Sequence, residues 1–495
     1  MEHFLQGCKA ALQEKHESLD FHIVLGNEAC DLDSMVSAMT LAYFLAKTSS
    51  SKNLVHIPVL NIPREDFPLR TESTFFLKEN GISQEILTFR DEIDIPSLYE
   101  SGQLMLTLVD HNVLPSADSF MEDVVTEVID HRALERRASM NCEVTSELVG
   151  SCTTLIAEKI IRAAPNILDR QLASLLRGTI VLDCVNMTPA AGKVTPKDSE
   201  LVTTLESMFP SLPLRTEVFD SLQIAKFDVS GLTTEQMLRK DMKAITSRDL
   251  LLAISSIYIS LEDFVHRANL ESDLRAFCQR HGYNVLIAMA ITFNSDNEPT
   301  RQIAVYSQRE ELRASVCTAL EEAANPSLKL SLIPSDPCKT IVSYHQGNAI
   351  ASRKKVLPIL KDFLRKRDFG NRASQLMQSI QDTEKPKARF GFGEQATDEG
   401  LDDNDFTGEP GDRSNTPDVD VGEDFRGKGS NSGFKKQSDD GAEEENSFPP
   451  TPMNSLVEGC PLDRGLPKFT AEAILERFSR ITAVDSEVKS SGGSK

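Results

Sequence analysis

Tryptophan is absent and tyrosine is scarce, 6 in 495 residues, so there is little from which to build a stacking platform for a nucleic-acid base. No stretch approaches the ~18 consecutive apolar residues of a membrane-spanning helix, which argues against insertion. The N-terminal run MEHFLQGCKAALQEKHESLD is charged throughout and lacks an apolar h-region. A secretory signal is therefore not expected, and the cytoplasm, with the nucleus as a further site, is the expected compartment. The 9 cysteines are odd in number, scattered, and never spaced C-x-x-C, a pattern of reduced thiols rather than of a disulfide framework or zinc ribbon. Positive charge is in deficit: 75 acidic against 53 basic residues give a net charge of −22, which opposes general nucleic-acid binding. Neither G-x-x-x-x-G-K-[ST] nor H-E-x-x-H occurs, so P-loop kinases and zincins are excluded.

The acidity is uneven. Residues 391–450 hold 17 acidic and 5 basic residues together with 10 of the 25 glycines, and show little apolar periodicity. That segment reads as disordered, and the remainder has the ordinary charge of a globular enzyme. No internal repeat is visible. Residues 367–495 are expected to form an acidic tail, with one amphipathic helix near 468–482 that Thr470 could cap. Thr416-Pro417 and Thr451-Pro452 would be accessible to kinases there.

Before the tail, apolar bursts alternate with helical patterns. FHIVLG (21–26), LVHIPVL (54–60), LMLTLVD (104–110) and VTEVID (125–130) suit buried parallel strands, and 34–48, 151–164 and 169–183 have helical spacing. The fold class expected is α/β: a doubly wound, mostly parallel sheet over 1–215, then a smaller α/β domain over 216–366. The Pro-rich passage 208–220 would be the hinge between them. In the second domain, TTEQMLRKDMKAI (233–245) reads as one helix.

Four segments place acids or an imidazole where an apolar element ends: Asn27 to Ser34 with Glu28, Asp31 and Asp33, Val109-Asp110-His111-Asn112, Ile129-Asp130-His131-Arg132, and Leu182-Asp183. Singly each has a bland explanation, Asp31 or Asp33 as a helix N-cap, Asp110 and Asp130 as turn residues, His131 as a satisfied buried imidazole. Together, at the ends of strands where such sheets hold ligands, they would repel one another unless cations intervene. Oxygen donors with one imidazole suit Mg²⁺, Mn²⁺ or Co²⁺ better than structural zinc.

In this order the motifs resemble the Asp-His-His (DHH) phosphoesterase superfamily, in the branch of family II inorganic pyrophosphatases and eukaryotic exopolyphosphatases, nearest to the animal prune type. The resemblance covers about 1–366 and the final helix region. It implies a DHHA2-type second domain, an active site in the interdomain cleft and two divalent cations, Mg²⁺ or Mn²⁺, with Co²⁺ also fitting. The ligands it implies are Asp31 and Asp110 for one ion and Asp33, Asp110, His131 and Asp183 for the other. Asn27 stands where pyrophosphatases have histidine, and is similar to the exopolyphosphatase branch. A neutral amide binds metal more weakly, so the first ion is expected to be held loosely. Arg132 replaces the second histidine of the superfamily's name. It can stabilise charge but cannot release a proton, and a phosphate leaving group with a second pKa of ~6 departs without one.

Ser352-Arg353-Lys354-Lys355 opens a helical pattern, where the dipole disfavours cations, so something anionic must compensate. The resemblance gives Arg353 and Lys354 the task of gripping terminal phosphates and matches Lys243 to another phosphate ligand, with Lys226 weaker. Asn27 and Arg132 are the substrate-binding residues expected in the first domain, and Asp110, His131, Arg132 and Asp183 the catalytic ones. The implied activity is release of orthophosphate from the ends of short inorganic polyphosphate, by a hydroxide held between the two ions. Two rivals remain: a phosphodiesterase for (cyclic) nucleotides, and a non-catalytic scaffold acting through the tail, for which the resemblance implies nucleoside diphosphate kinase as a protein partner.

Overall fold

The computed structural model describes residues 1–13, 19–136, 141–293, 299–334 and 338–383. The first lobe contains, in order, α1 (Glu2–Gln13), β1 (Asp20–Leu25), α2 (Leu32–Thr48), β2 (Leu54–Val59), α3 (Thr71–Glu79), α4 (Ile95–Glu100), β3 (Leu104–Val109), β4 (Val125–Asp130), β5 (Glu143–Ser146), α5 (Cys152–Ala163), α6 (Arg170–Asp183), α7 (Pro196–Met208) and α8 (Arg215–Phe227). Its five strands pair in parallel in the order β2-β1-β3-β4-β5. Alternation along β1 feeds two cores: Phe21, Ile23 and Leu25 on one face, Val24 with the α2, α5 and α6 side chains on the other. Chain direction across the sheet reverses between β1 and β3, the place where open α/β sheets gather ligands. The four bursts read from sequence are β1 to β4, whereas β5, short and largely exposed, carries too little apolar signal to be seen.

The second lobe follows with α9 (Thr234–Lys240), β6 (Met242–Thr246), β7 (Leu251–Ile257), α10 (Leu261–Val265), α11 (Leu270–His281), β8 (Val285–Phe293), β9 (Pro299–Tyr306), α12 (Glu310–Glu321), β10 (Leu330–Leu332), β11 (Ile341–Gln346) and α13 (Arg353–Thr383). Its six strands run β10-β11-β9-β8-β7-β6, antiparallel except for the parallel β7/β8 pair, with a core on each face. The mixed α/β class therefore holds for both lobes.

Three boundaries differ from the sequence reading. The single helix expected over 233–245 stops at Lys240, because Met242, Lys243 and Ala244 pair with β7 as β6, and tertiary pairing overrides helical propensity. Helix α8 packs Phe219 and Leu222 into the first core, and only Phe227 reaches the second, so the chain crosses later than the Pro-rich passage. Helix α13 runs to Thr383 rather than ending near 366; the charged run 365–368 hides its periodicity, and no proline follows until Pro386. The expected helix at 468–482 and most of the tail lie outside the described residues. No helix among the described residues is long and apolar enough to cross a membrane.

Candidate active site

The loop after β1 is shaped by a close approach. A Cβ on Gly26 would lie 2.2 Å from Ser34 Oγ, so only glycine lets the loop fold back on the start of α2. Ser34 Oγ then accepts the Asn27 N–H (2.8 Å), and Asp31 caps α2 by accepting the Ser34 N–H (3.1 Å). Asn27 is buried with its amide fully engaged: Oδ1 accepts the Cys30 N–H (2.9 Å), and Nδ2 donates to Asp110 Oδ2 (2.6 Å) and Asp110 O (3.2 Å). The Asn27 amide thus orients a carboxylate.

Asp110 follows β3 in a left-handed conformation (φ 61°) and is fully buried. His131 follows β4, and Asp33 lies in the first turn of α2. One ligand atom from each of Asp33, Asp110 and His131 falls within 4.8 Å of the others, the group among the described residues able to hold a metal ion. Asp130 stays out of it, accepting the His131 N–H (2.8 Å) and the Asn112 amide (2.6 Å). Asp31, as a cap, also lies outside the trio. Asp183 ends α6 with its carboxyl in the field of Asp33, Asp31 and His131.

One segment that sequence reasoning missed, 149–153, grips two of the three. Val149 O accepts from His131 Nδ1 (3.0 Å), which orients the ring so that Nε2 faces Asp110 Oδ1 (3.2 Å) and Asp33 Oδ2 (3.9 Å). Asp33 accepts from Ser151 Oγ (2.9 Å), Thr153 N (2.8 Å) and Thr153 Oγ1 (2.6 Å) on Oδ1, and from Cys152 N (2.7 Å) on Oδ2. Ser151, in the N-cap position of α5, makes no cap bond of its own, so a carboxylate from a distant helix satisfies those orphan donors. The loop is in turn held by buried Asp198, which accepts from Gly150 N (2.9 Å) and Thr154 Oγ1 (2.6 Å). Ser151 was legible as the start of a helix, but nothing local shows which acid it serves.

The electrostatics are those of an unfinished site. Burial, reinforced by Asp33, pushes the Asp110 carboxyl up to about 7, and burial with Asp33 and Asp31 pushes Asp183 well above the usual carboxylate range. Burial alone would lower the His131 imidazole, but the Asp110 and Asp33 carboxylates override it and favour the imidazolium. Asp110 Oδ1 lies 3.2 Å from Arg132 Nη2, yet neither Asp110 Oδ1 nor Asp183 Oδ2 receives a hydrogen bond, although both are buried. Buried carboxylate oxygens crowded around one imidazole nitrogen, protonated only for want of another cation, are the donor set of a hard divalent ion, so the residues fit the expected group. Arg132, with 48% of its side chain exposed, also donates from Nη1 to Asp110 O (2.9 Å).

The basic residues in and near the second lobe differ in how they are held. Arg353 is the first residue of α13, and its Nη2 sits 2.6 Å from Asp241 Oδ1, which supplies the compensating anion that the helix start requires. Lys354 is exposed, and Lys243 is half-buried on β6 opposite Ile254. Lys226 is buried with its ammonium 3.9 Å from Glu72. Lys240, not singled out from sequence, is fully buried; it donates to Leu69 O (2.7 Å) and Thr71 Oγ1 (2.9 Å), and burial lowers it to about 8. Asp66 pairs with Arg239 (2.5 Å), and Arg70 donates to Ala29 O (2.8 Å), so the 66–72 stretch touches both α9 and the Asn27–Ser34 loop.

Comparison with known proteins places this two-lobed chain in the DHH phosphoesterase superfamily. Residues 220–363 match the DHHA2 domain family. The chain is 48% identical over 490 residues to Exopolyphosphatase PRUNE1 of Homo sapiens, covering 99% of each, and 50% identical over 482 residues to Exopolyphosphatase PRUNE1 of Bos taurus, covering 97% of each. It is also 36% identical over 367 residues to Protein prune homolog 2 of Mus musculus, covering 74% of this chain and 12% of that one. The chain belongs to the prune exopolyphosphatase family.

Proposed function

We propose that the chain is a metal-dependent exopolyphosphatase that releases orthophosphate from the ends of short inorganic polyphosphates. The observation that carries the reading is the convergence of Asp33, Asp110 and His131 within 4.8 Å, with buried carboxylate oxygens lacking donors. Asp33 Oδ2, Asp110, His131 Nε2 and Asp183 would hold the cations, with Asp31 the weaker contributor because its Oδ1 caps α2. Divalent ions, Mg²⁺ or Mn²⁺, would supply an acidified water and polarise the phosphoryl oxygens. Asn27 keeps Asp110 turned toward the centre. Arg132 spreads charge on the phosphate without giving up a proton, and Arg353, Lys354 and Lys243 bind the chain end. In this reading the two lobes enclose the substrate in the cleft between them, and the tail recruits protein partners of the nucleoside diphosphate kinase kind.

The test offers purified full-length chain tripolyphosphate, tetraphosphate, pyrophosphate and a cyclic nucleotide with Mg²⁺ or Mn²⁺, and quantifies phosphate and nucleoside products. Phosphate from short chains, lost on Asp183→Ala, is the expected result. Nucleoside monophosphate as the main product, or no turnover of any substrate, would refute it.

A further inference from the structure

We propose that Asp241 is a positioning residue for phosphate binding: it aims the guanidinium of Arg353 so that the unused half of the fork meets a terminal phosphate. The inference deepens the exopolyphosphatase reading at one subsite and rests on it. Arg353 stands at the first residue of α13, where the helix dipole repels a cation and leaves the side chain without local support. Asp241 supplies that support through the 2.6 Å contact with Nη2, while Arg353 Nη1 is buried with no hydrogen-bond partner. Asp241 thus holds one edge of the fork as an ion pair, and the other edge is a buried donor that lacks a partner of its own.

The carboxylate is itself fixed. Asp241 is 6% exposed, and its Oδ2 accepts the hydroxyl of Tyr258 (2.9 Å), which is 5% exposed just beyond β7. Its backbone O accepts Ser256 N–H (2.8 Å). The preceding residue, Lys240, reaches Leu69 O and Thr71 of the first lobe. Two adjacent side chains thus register the end of α9 against the first lobe and against Arg353.

Charge and orientation make opposite predictions here. Asp241 cancels the charge of Arg353, so if net charge alone governed binding, neutralising Asp241 would tighten the grip on a polyanion. If Asp241 aims the fork, the same change loosens it, because a guanidinium free to rotate loses its prepaid orientation.

Asp241→Asn keeps the shape and the tyrosine contact, and steady-state hydrolysis of tripolyphosphate by the full chain with Mn²⁺ reads its effect. KM is expected to rise about tenfold, with kcat changed by less than about twofold. Tyr258→Phe should shift KM the same way by less, and carries the test if Asp241→Asn fails to fold. In an Arg353→Gln background, Asp241→Asn should add nothing further. A KM that is unchanged or lower in both single variants overturns the inference and leaves the exopolyphosphatase reading standing. If the wild-type chain turns over no tripolyphosphate, that reading falls, and calorimetric binding of imidodiphosphate decides this one. Weaker binding by Asp241→Asn supports it; equal binding, or none by the wild type, overturns it.

Discussion

The first-lobe centre and the second-lobe cations are built in contrasting ways. Asp33 receives bonds from Ser151, Cys152 and Thr153, His131 is held by Val149, and Asp110 by Asn27, so each acid or imidazole has its orientation fixed by buried donors or acceptors. Arg353 has one ion pair, Lys354 is exposed, and Lys243 makes no hydrogen bond or ion pair among the described residues. A centre for small hard ions needs ligand atoms placed to a fraction of an ångström. A grip on a polyanion of variable length gains from charge that can follow the substrate.

The most severe way to test this contrast is Asp110→Asn. Loss of a central ligand should cut hydrolysis by ~10³-fold or more, while the same protein in chelator should melt a few degrees higher, because one of the crowded buried carboxylates is gone. Phosphate release and a thermal melt check the pair of outcomes; an unchanged or lower melting temperature would show that the centre is not strained without ions. Next, Thr153→Val removes a 2.6 Å donor from Asp33 at nearly constant volume. The Mn²⁺ concentration for half-maximal activity should rise ~10-fold or more, with KM for tripolyphosphate at saturating Mn²⁺ little changed. Lys354→Ala should do the converse, raising KM by only a few-fold, and that increment should shrink in high salt, as screening of an exposed charge demands. A titration in KCl separates it from the salt-insensitive Thr153 effect.

The smallest expected effect lies in the sheet beneath the centre. His22 and His56 are buried with Nδ1 atoms 3.1 Å apart, and burial with the neighbouring ring lowers His22 to about 4; burial lowers His56 as well. Above pH ~6.5 both rings are neutral, folded or unfolded, and nothing is lost. As pH falls from there toward about 4, the unfolded chain takes up protons that the folded lobe refuses, so stability declines. Asp110 and Asp183, held high in the folded lobe, take up protons over the same range and oppose this, so the histidine contribution is read as a difference. Hydrogen exchange of the first lobe at pH 7 and pH 5 should show His56→Gln losing less protection on acidification than the wild type, and an equal change in the two would contradict it.

What could be read from the chain beforehand follows the same division. Strands β1 to β4 were legible because both their faces are largely buried and each carries a run of apolar positions. Asp110 and His131 were legible because a charged residue directly after such a run has one crevice to enter. Asp31 and Asp33, two apart, looked equivalent, and only packing separates them: Asp31 turns back to cap its own helix, and Asp33 meets the backbone of α5. Lys240 and Asp241 were hidden inside a charged, helix-like run, since no local pattern tells a buried lysine from a solvated one when its acceptors, Leu69 O and Thr71, are about 170 positions away. The length of α13 was misread for the opposite reason, a polar stretch within it imitating a linker.

The bonds from Cys152 and Ser151 to Asp33 span 119 and 118 positions of chain. A ribosome that has just released α2 has therefore made the acid but not the amides that will hold it, and the histidine and its carbonyl anchor also emerge long afterward. In the proposed reading, ion capture is consequently a late step of synthesis, and a nascent chain stalled before residue 150 would display its acids to the cell without the means to use them.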